Sequence, residues 1–223
     1  MKTLKEAIEI GGKVSTGNSK MPGSTLALDS FSCLVGDKLA DIEGSVCNGC
    51  YARRIQKMRP SVAQGWSRNQ VLSVNLIAKN PNKWVQAMVF QIEKAAIKTG
   101  ENYHRWFDSG DLDSVAMLVA ICRVARKTPH IRHWLPTREV KLVSEFRKLG
   151  HSIPKNLRIR LSATMINDKP VGSARKLNVS TSTVHRKGAE YSGHECPAPK
   201  QGNACGSCRH CWISPVNVSY VKH

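Results

Sequence analysis

The chain has 223 residues, long enough for a sizeable core, and its 41% hydrophobic and 22% charged residues exclude wholesale disorder. Lys and Arg number 34 against 16 acids, a net charge of +18. The opening MKTLKEAIEIGGKVSTG carries charges where a secretory signal needs an apolar run, and the longest apolar stretch, VAMLVAIC at 115–122, is too short for a bilayer span. A cytoplasmic chain without a membrane partner is therefore expected, and its eight cysteines point to metal or catalysis more than to disulfides. The charge is uneven. Residues 115–223 hold 19 basic and 5 acidic side chains, a net of +14, leaving 15 against 11, or +4, for residues 1–114. Such a field attracts nucleic acid or another polyanion to the C-terminal half; a solvated basic surface is the plain alternative.

In chain order, STLALDSFS at 24–32 reads as the first strand, bounded by Pro22-Gly23. Cys33 follows, then a polar loop or broken helix ending in CNGCYARR. Apolar residues recur at helical spacing over 61–79 and 83–99, with Asn80-Pro81 between the two runs and Gly100 as a stop. Strand and helix then alternate. YHRWFDSGD is a strand ending in a turn, and LDSVAMLVAICRVARK a helix, for which Asp111 is a candidate N-cap. IRHWLPT is a strand, and REVKLVSEFRKLG a helix with Thr137 as N-cap and Gly150 as stop. LRIRLSATM is a third strand of this series, a short helical piece lies near 170–176, and NVSTSTVH is a fourth. Trp106, Trp134 and Arg160 occupy matching places in their strands.

This alternation predicts an α/β fold of parallel strands in one domain, 1–223, a compact or partial βα barrel with a cysteine-rich segment at 194–212; an open doubly wound sheet is the alternative. In either case the loops after the strands, among them Cys33 to Tyr51, Asp108 to Asp111 and Pro136 to Arg138, share one rim. Arg138 there is a candidate grip for a carboxylate or phosphate, or a surface residue in a first helical turn.

Cys122 sits at helical spacing with Val115, Leu118 and Val119 and reads as a buried structural thiol. The other seven cysteines form two groups. Cys196, Cys205, Cys208 and Cys211 follow C-x8-C-x2-C-x2-C, with Pro197 after the first. Three cysteines at intervals of three suit a corner of an iron–sulfur cube, so a 4Fe–4S cluster is expected, with zinc or unliganded thiols as alternatives. His194 and His210 read first as solvated surface histidines and second as substitutes for a cysteine. Cys33, Cys47 and Cys50 follow C-x13-C-x2-C. Three thiolates leave a fourth coordination position open for a substrate or cofactor; the alternative is a mixed site of Cys47 and Cys50 with a member of the quartet, and Cys33 as a core residue.

A strand, a loop with three cysteines, two helices and a second strand ending in a glycine–acid turn together resemble the layout of radical S-adenosylmethionine (SAM) enzymes. The set CNGCYA, WFDSGD, WLPTR and the closing C-x2-C-x2-CW resembles, from residue 25 onward, the phage family called gene product eighty-eight. The radical SAM resemblance implies that Cys33, Cys47 and Cys50 hold a 4Fe–4S cluster, and that Asp108, Ser109, Gly110 and Asp111 stand where the SAM amino group is received. Thirteen residues separate Cys33 from Cys47, where that family has three, and Tyr51 follows the last cysteine, where that family has an aromatic before it. The phage family implies an architecture and, for a phage-encoded chain, the cytoplasm of a host cell. Three functions follow: an iron–sulfur protein with a radical SAM-like barrel, a zinc-stabilised nucleic-acid-binding protein without catalysis, and a cluster protein serving structure or electron transfer.

Overall fold

The computed structural model describes residues 1–17 and 19–222. Helix α1 (Leu4–Gly11), capped by the Thr3 hydroxyl accepting from Glu6 N–H, and strand β1 (Val14–Ser15) precede the first expected strand. Strand β2 is shorter than its sequence predicts, Ser24–Leu26. The Asp29 carboxylate ends the run, accepting from Phe31 N–H, the Gln56 amide and the Ser67 hydroxyl, and so folds 30–32 into a 3₁₀ turn. Short α2 (Leu34–Lys38) and α3 (Tyr51–Met58) occupy the cysteine loop. The two long helices form as expected: α4 (Pro60–Lys79) and α5 (Pro81–Thr99) each begin with proline at the first position, where its missing N–H is no loss.

The alternation then runs β3 (Tyr103–Trp106), α6 (Val115–Lys127), β4 (Arg132–Thr137), α7 (Val140–Lys148), β5 (Leu157–Ile166), α8 (Ala174–Leu177) and β6 (Ser180–His185). Two caps differ from expectation. Ser114, not Asp111, caps α6 by accepting from Met117 N–H. Thr137 ends β4 and accepts from Glu139 N–H, closing a turn ahead of α7. The tail adds β7 (His194–Glu195), α9 (His210–Ile213) and β8 (Val218–Val221), none of which the sequence foretold.

Among the described residues one eight-stranded sheet forms in the order β1-β2-β3-β4-β5-β6-β8-β7, with only the β1–β2 pair antiparallel. From β2 to β6 the order advances without reversal, whereas a doubly wound sheet needs a point where it reverses. Right-handed crossovers advancing one way lay their helices on one face. That face carries the main core: Leu26, Trp106, Leu135 and Leu161 pack with Trp84 and Met88 of α5 and Leu118 and Ile121 of α6. Trp84 and Trp106 stack at 6.0 Å. Each such fully buried side chain contributes about 1.5–3 kcal/mol.

The pairing Arg105↔Trp134 puts Trp134 on the opposite face from Trp106, so the matched sequence places of these tryptophans are not matched in space. Parallel sheets are normally covered on both faces. Here the second face, with Tyr103, Arg105, Trp134, Arg158 and Arg160, is covered by the tail. Trp212 of α9 packs on Trp134 (5.1 Å) and Tyr103 (5.5 Å), and its indole N–H donates to the carbonyl of His104. The parallel strands end on one rim, where the loops that follow them meet. No helix among the described residues is long and apolar enough to cross a membrane.

Candidate metal and cofactor site

The loop between β2 and α4 brings Cys33, Cys47 and Cys50 together. Its fold is set by Ser45, fully buried, whose hydroxyl donates to Leu39 C=O (2.6 Å) and accepts from Cys47 N–H (3.2 Å) and Asn48 N–H (3.0 Å). Backbone bonds from Val46 N–H to Thr164 C=O and from Ile166 N–H to Gly44 C=O fasten the loop to the end of β5. The Glu139 carboxylate accepts from Val35 N–H at 2.8 Å and fastens it to the end of β4. Gly36 marks the crowding. A Cβ there would stand 2.9 Å from Cys33 Cβ, 3.6 Å from Cys47 Sγ and 3.7 Å from Cys33 Sγ, so both sulfurs border one small space.

Burial pushes the Cys33 thiol up to about 12, with Asp111 and then the Cys50 and Cys47 sulfurs adding to it. The Cys47 thiol is raised by burial, opposed first by Arg138. A bound cation would reverse this balance, because thiolate ligands are held deprotonated by the metal. The positive charges of Arg138 and Arg53 already act in that direction.

The turn after β3 stands beside this loop. Tyr51, next to Cys50, donates its hydroxyl to Asp108 C=O at 2.6 Å. Phe107 adopts a left-handed backbone (φ 60°), a strained conformation for an aromatic residue, and turns the chain at the rim. Gly110 (φ 81°) lies so close to the segment after β2 that a Cβ would meet Leu28 Cβ at 2.5 Å, while Ser109 C=O accepts from Leu28 N–H at 2.8 Å. The two acids divide their work. Asp111 is committed to the scaffold: its oxygens accept from Leu112 N–H (2.7 Å) and Arg138 N–H (2.9 Å), joining the β3 and β4 loops. Asp108 uses Oδ2 on the Thr25 hydroxyl, whereas its buried Oδ1, like the buried Ser109 Oγ, has no hydrogen-bond partner. The Arg138 Nε is likewise buried without one. Unpaired polar atoms at a loop rim are open to a ligand.

The quartet gathers elsewhere, against the second face of the sheet. Cys196 N–H bonds Ser219 C=O, Cys205 N–H bonds Lys20 C=O, and Cys208 N–H bonds Cys205 C=O. The thiols that act on one another electrostatically belong to one group. Cys33 feels Cys47 and Cys50, Cys205 feels Cys196 and Cys208, and Cys211 feels Cys196 and Cys205. Cys211 is the most enclosed: burial pushes it up to about 12, opposed by the hydrogen bond it shares with the Tyr220 hydroxyl at 3.2 Å and by Arg160. His194 Nε2 lies 3.5 Å from Cys208 Sγ and its ring stacks on His210 at 3.6 Å, so these histidines border the quartet. Cys122 is buried in the main core between the sheet and helices, as its spacing predicts. Among the described residues, no three His, Cys, Asp or Glu side chains are placed to hold a single metal ion.

Sequence reasoning missed Ser45, Glu139 and Phe107. Nothing in their local sequence marks them, because their roles come from contacts between distant loops and from one backbone torsion. Tyr51 carried a signal through its place after Cys50.

A family model described as Gene product 88 matches residues 31–213, and the chain belongs to that family. No curated protein and no solved structure matches the chain.

Proposed function

We propose that this member of the family is an iron–sulfur protein of radical SAM-like design, with Cys33, Cys47 and Cys50 as the protein ligands of a 4Fe–4S cluster. One observation carries the reading: three thiols after β2 stand beside the β3 turn where buried Asp108 Oδ1 and Ser109 Oγ lack partners. Three cysteines suit a cluster with one iron left for a second ligand, and a carboxylate suits an ammonium. With SAM bound, such a cluster supplies one-electron reductive cleavage of a carbon–sulfur bond. The chain's part is to hold the three thiols, receive the SAM amino group at Asp108 and Ser109, and keep the β3 and β4 loops joined through Asp111.

For the quartet we propose a second, closed centre that anchors the tail, a 4Fe–4S cluster. Its support is the enclosure of Cys211 and the three backbone-tethered cysteines grouped with it, Cys196, Cys205 and Cys208.

Anaerobic purification followed by iron, zinc and sulfide analysis tests the reading. Iron and sulfide lost in Cys33→Ser and Cys47→Ser support it, as does 5′-deoxyadenosine formed from SAM under reduction. Zinc without sulfide overturns it in favour of a zinc-stabilised nucleic-acid-binding protein. A cluster that leaves SAM intact and unbound turns it into a protein of structure or electron transfer.

A further inference from the structure

A cavity of about 500 Å³ opens beside the trio, lined by Cys47, Cys50, Arg53, Arg54, Lys57 and Asp41 among others. Its size is that of a small-molecule site. Helix α3, YARRIQKM, supplies three cations and no acid. Arg53 is partly engaged, with Nη2 on Asp37 at 2.6 Å and its guanidinium over the Phe31 ring at 5.0 Å. Arg54 and Lys57 are exposed, three residues apart on one helical face, and neither forms an ion pair among the described residues. Asp41 is the single acid of this lining. Lys57 Nζ also lies over the Phe31 ring at 5.8 Å. Two cations without ion-pair partners in one lining, with Arg53 as a third, match a doubly charged phosphate better than a singly charged carboxylate.

We infer that this cavity receives the phosphate group of a small phosphate ester, gripped by Arg54 and Lys57, so that the rest of the molecule lies against Cys47 and Cys50. The inference names a substrate class for the site proposed above; as an anion site it stands on the lining alone.

Calorimetric titration of the full chain with inorganic pyrophosphate, at fixed ionic strength, tests it. One saturable site is expected, weakened about tenfold or more in Arg54→Gln/Lys57→Gln and less than about twofold in Lys127→Gln/Lys148→Gln, which removes equal charge elsewhere. Unchanged melting temperatures confirm that the variants are folded. Absence of binding in the wild type, or equal weakening in both double variants, overturns the inference. A 20-nucleotide single strand that binds while pyrophosphate does not also overturns it, by assigning the cations to a nucleic-acid surface. The titration is repeated on chelator-treated, iron-free protein. Retained affinity there supports the anion site even if no iron is ever found, so failure of the cluster reading is read separately.

Discussion

The two cysteine groups of this chain are built on opposite plans. The trio lies in a loop held at the rim by backbone bonds to β5 and a carboxylate from the β4 loop, and polar atoms beside it lack partners. The quartet lies over a sheet face, with Cys211 hydrogen-bonded to Tyr220 and the adjoining Trp212 packed between aromatic rings. The open coordination position proposed for the trio would face the loops of the rim. In the quartet, a bound metal would serve to tie the tail to the sheet. The difference teaches that donor identity alone would not separate a reaction centre from a staple: the trio sits among loops at the rim and the quartet against a packed sheet face, while buried polar atoms without partners lie beside both, Asp108 Oδ1 and Ser109 Oγ in one case and His210 Nδ1 in the other.

The largest effect is expected where the tail meets the sheet. Arg160 is fully buried in β5 and donates to the carbonyls of Thr181, His210, Cys211, Ser214 and Val216. Arg160→Met orphans five acceptors and should cost about 3–5 kcal/mol in urea unfolding, and a loss under about 1 kcal/mol would show that the tail is only loosely docked. At the rim, Gly110→Ala combines a left-handed backbone with a clash on Leu28. It should cost about 2–3 kcal/mol and displace the Asp108–Ser109 turn; a neutral result would break the claim that close approach shapes this loop. Asp108→Asn probes ligand binding rather than folding. It should weaken SAM about tenfold, or about 1.4 kcal/mol, with the melting temperature unchanged, and equal affinity in both proteins would remove Asp108 from the site.

The smallest effect lies behind the sheet and distinguishes core from rim. Burial pushes the His133 imidazole down to about 3 and that of His104 well below its usual range. Unfolded, both protonate near pH 6.5, so below that pH the unfolded chain binds more protons and stability falls with pH, levelling off for His133 near pH 3. Each contributes a slope of up to about 1.4 kcal/mol per pH unit. His133→Gln should lower the slope measured between pH 6 and 5 by up to about 1.4 kcal/mol per pH unit.

Much of the scaffold was legible because it rests on local periodicity. The α4 and α5 helices, with their prolines, and the βα alternation from residue 103 needed no distant information. What escaped was set by contacts across the chain. STLALDSFS has strand-forming residues, yet the Asp29 bonds to Gln56 and Ser67 cut it short. Thr137 has the chemistry of a helix cap and makes a turn instead, because β4 extends to it. Trp106 and Trp134 look equivalent until strand register assigns them to opposite faces. The grouping of cysteines followed spacing, whereas the split between Asp111 as scaffold and Asp108 with a free oxygen depends on a hydrogen bond from Arg138, 27 residues away.

The bond from the Trp212 indole to the His104 carbonyl joins residues 108 positions apart. During synthesis, β3 to β6 emerge well before that partner does, and until it arrives Tyr103 and Trp134 lack the Trp212 ring, with Met21 from an earlier segment of that cluster lying against Arg105. Contacts of such long range are slow to form and leave an adhesive intermediate. Formation of the Trp212 contacts is thus expected to be a late step of folding, and a ribosome stalled before residue 212 would carry a sheet packed on one side and only partly covered on the other.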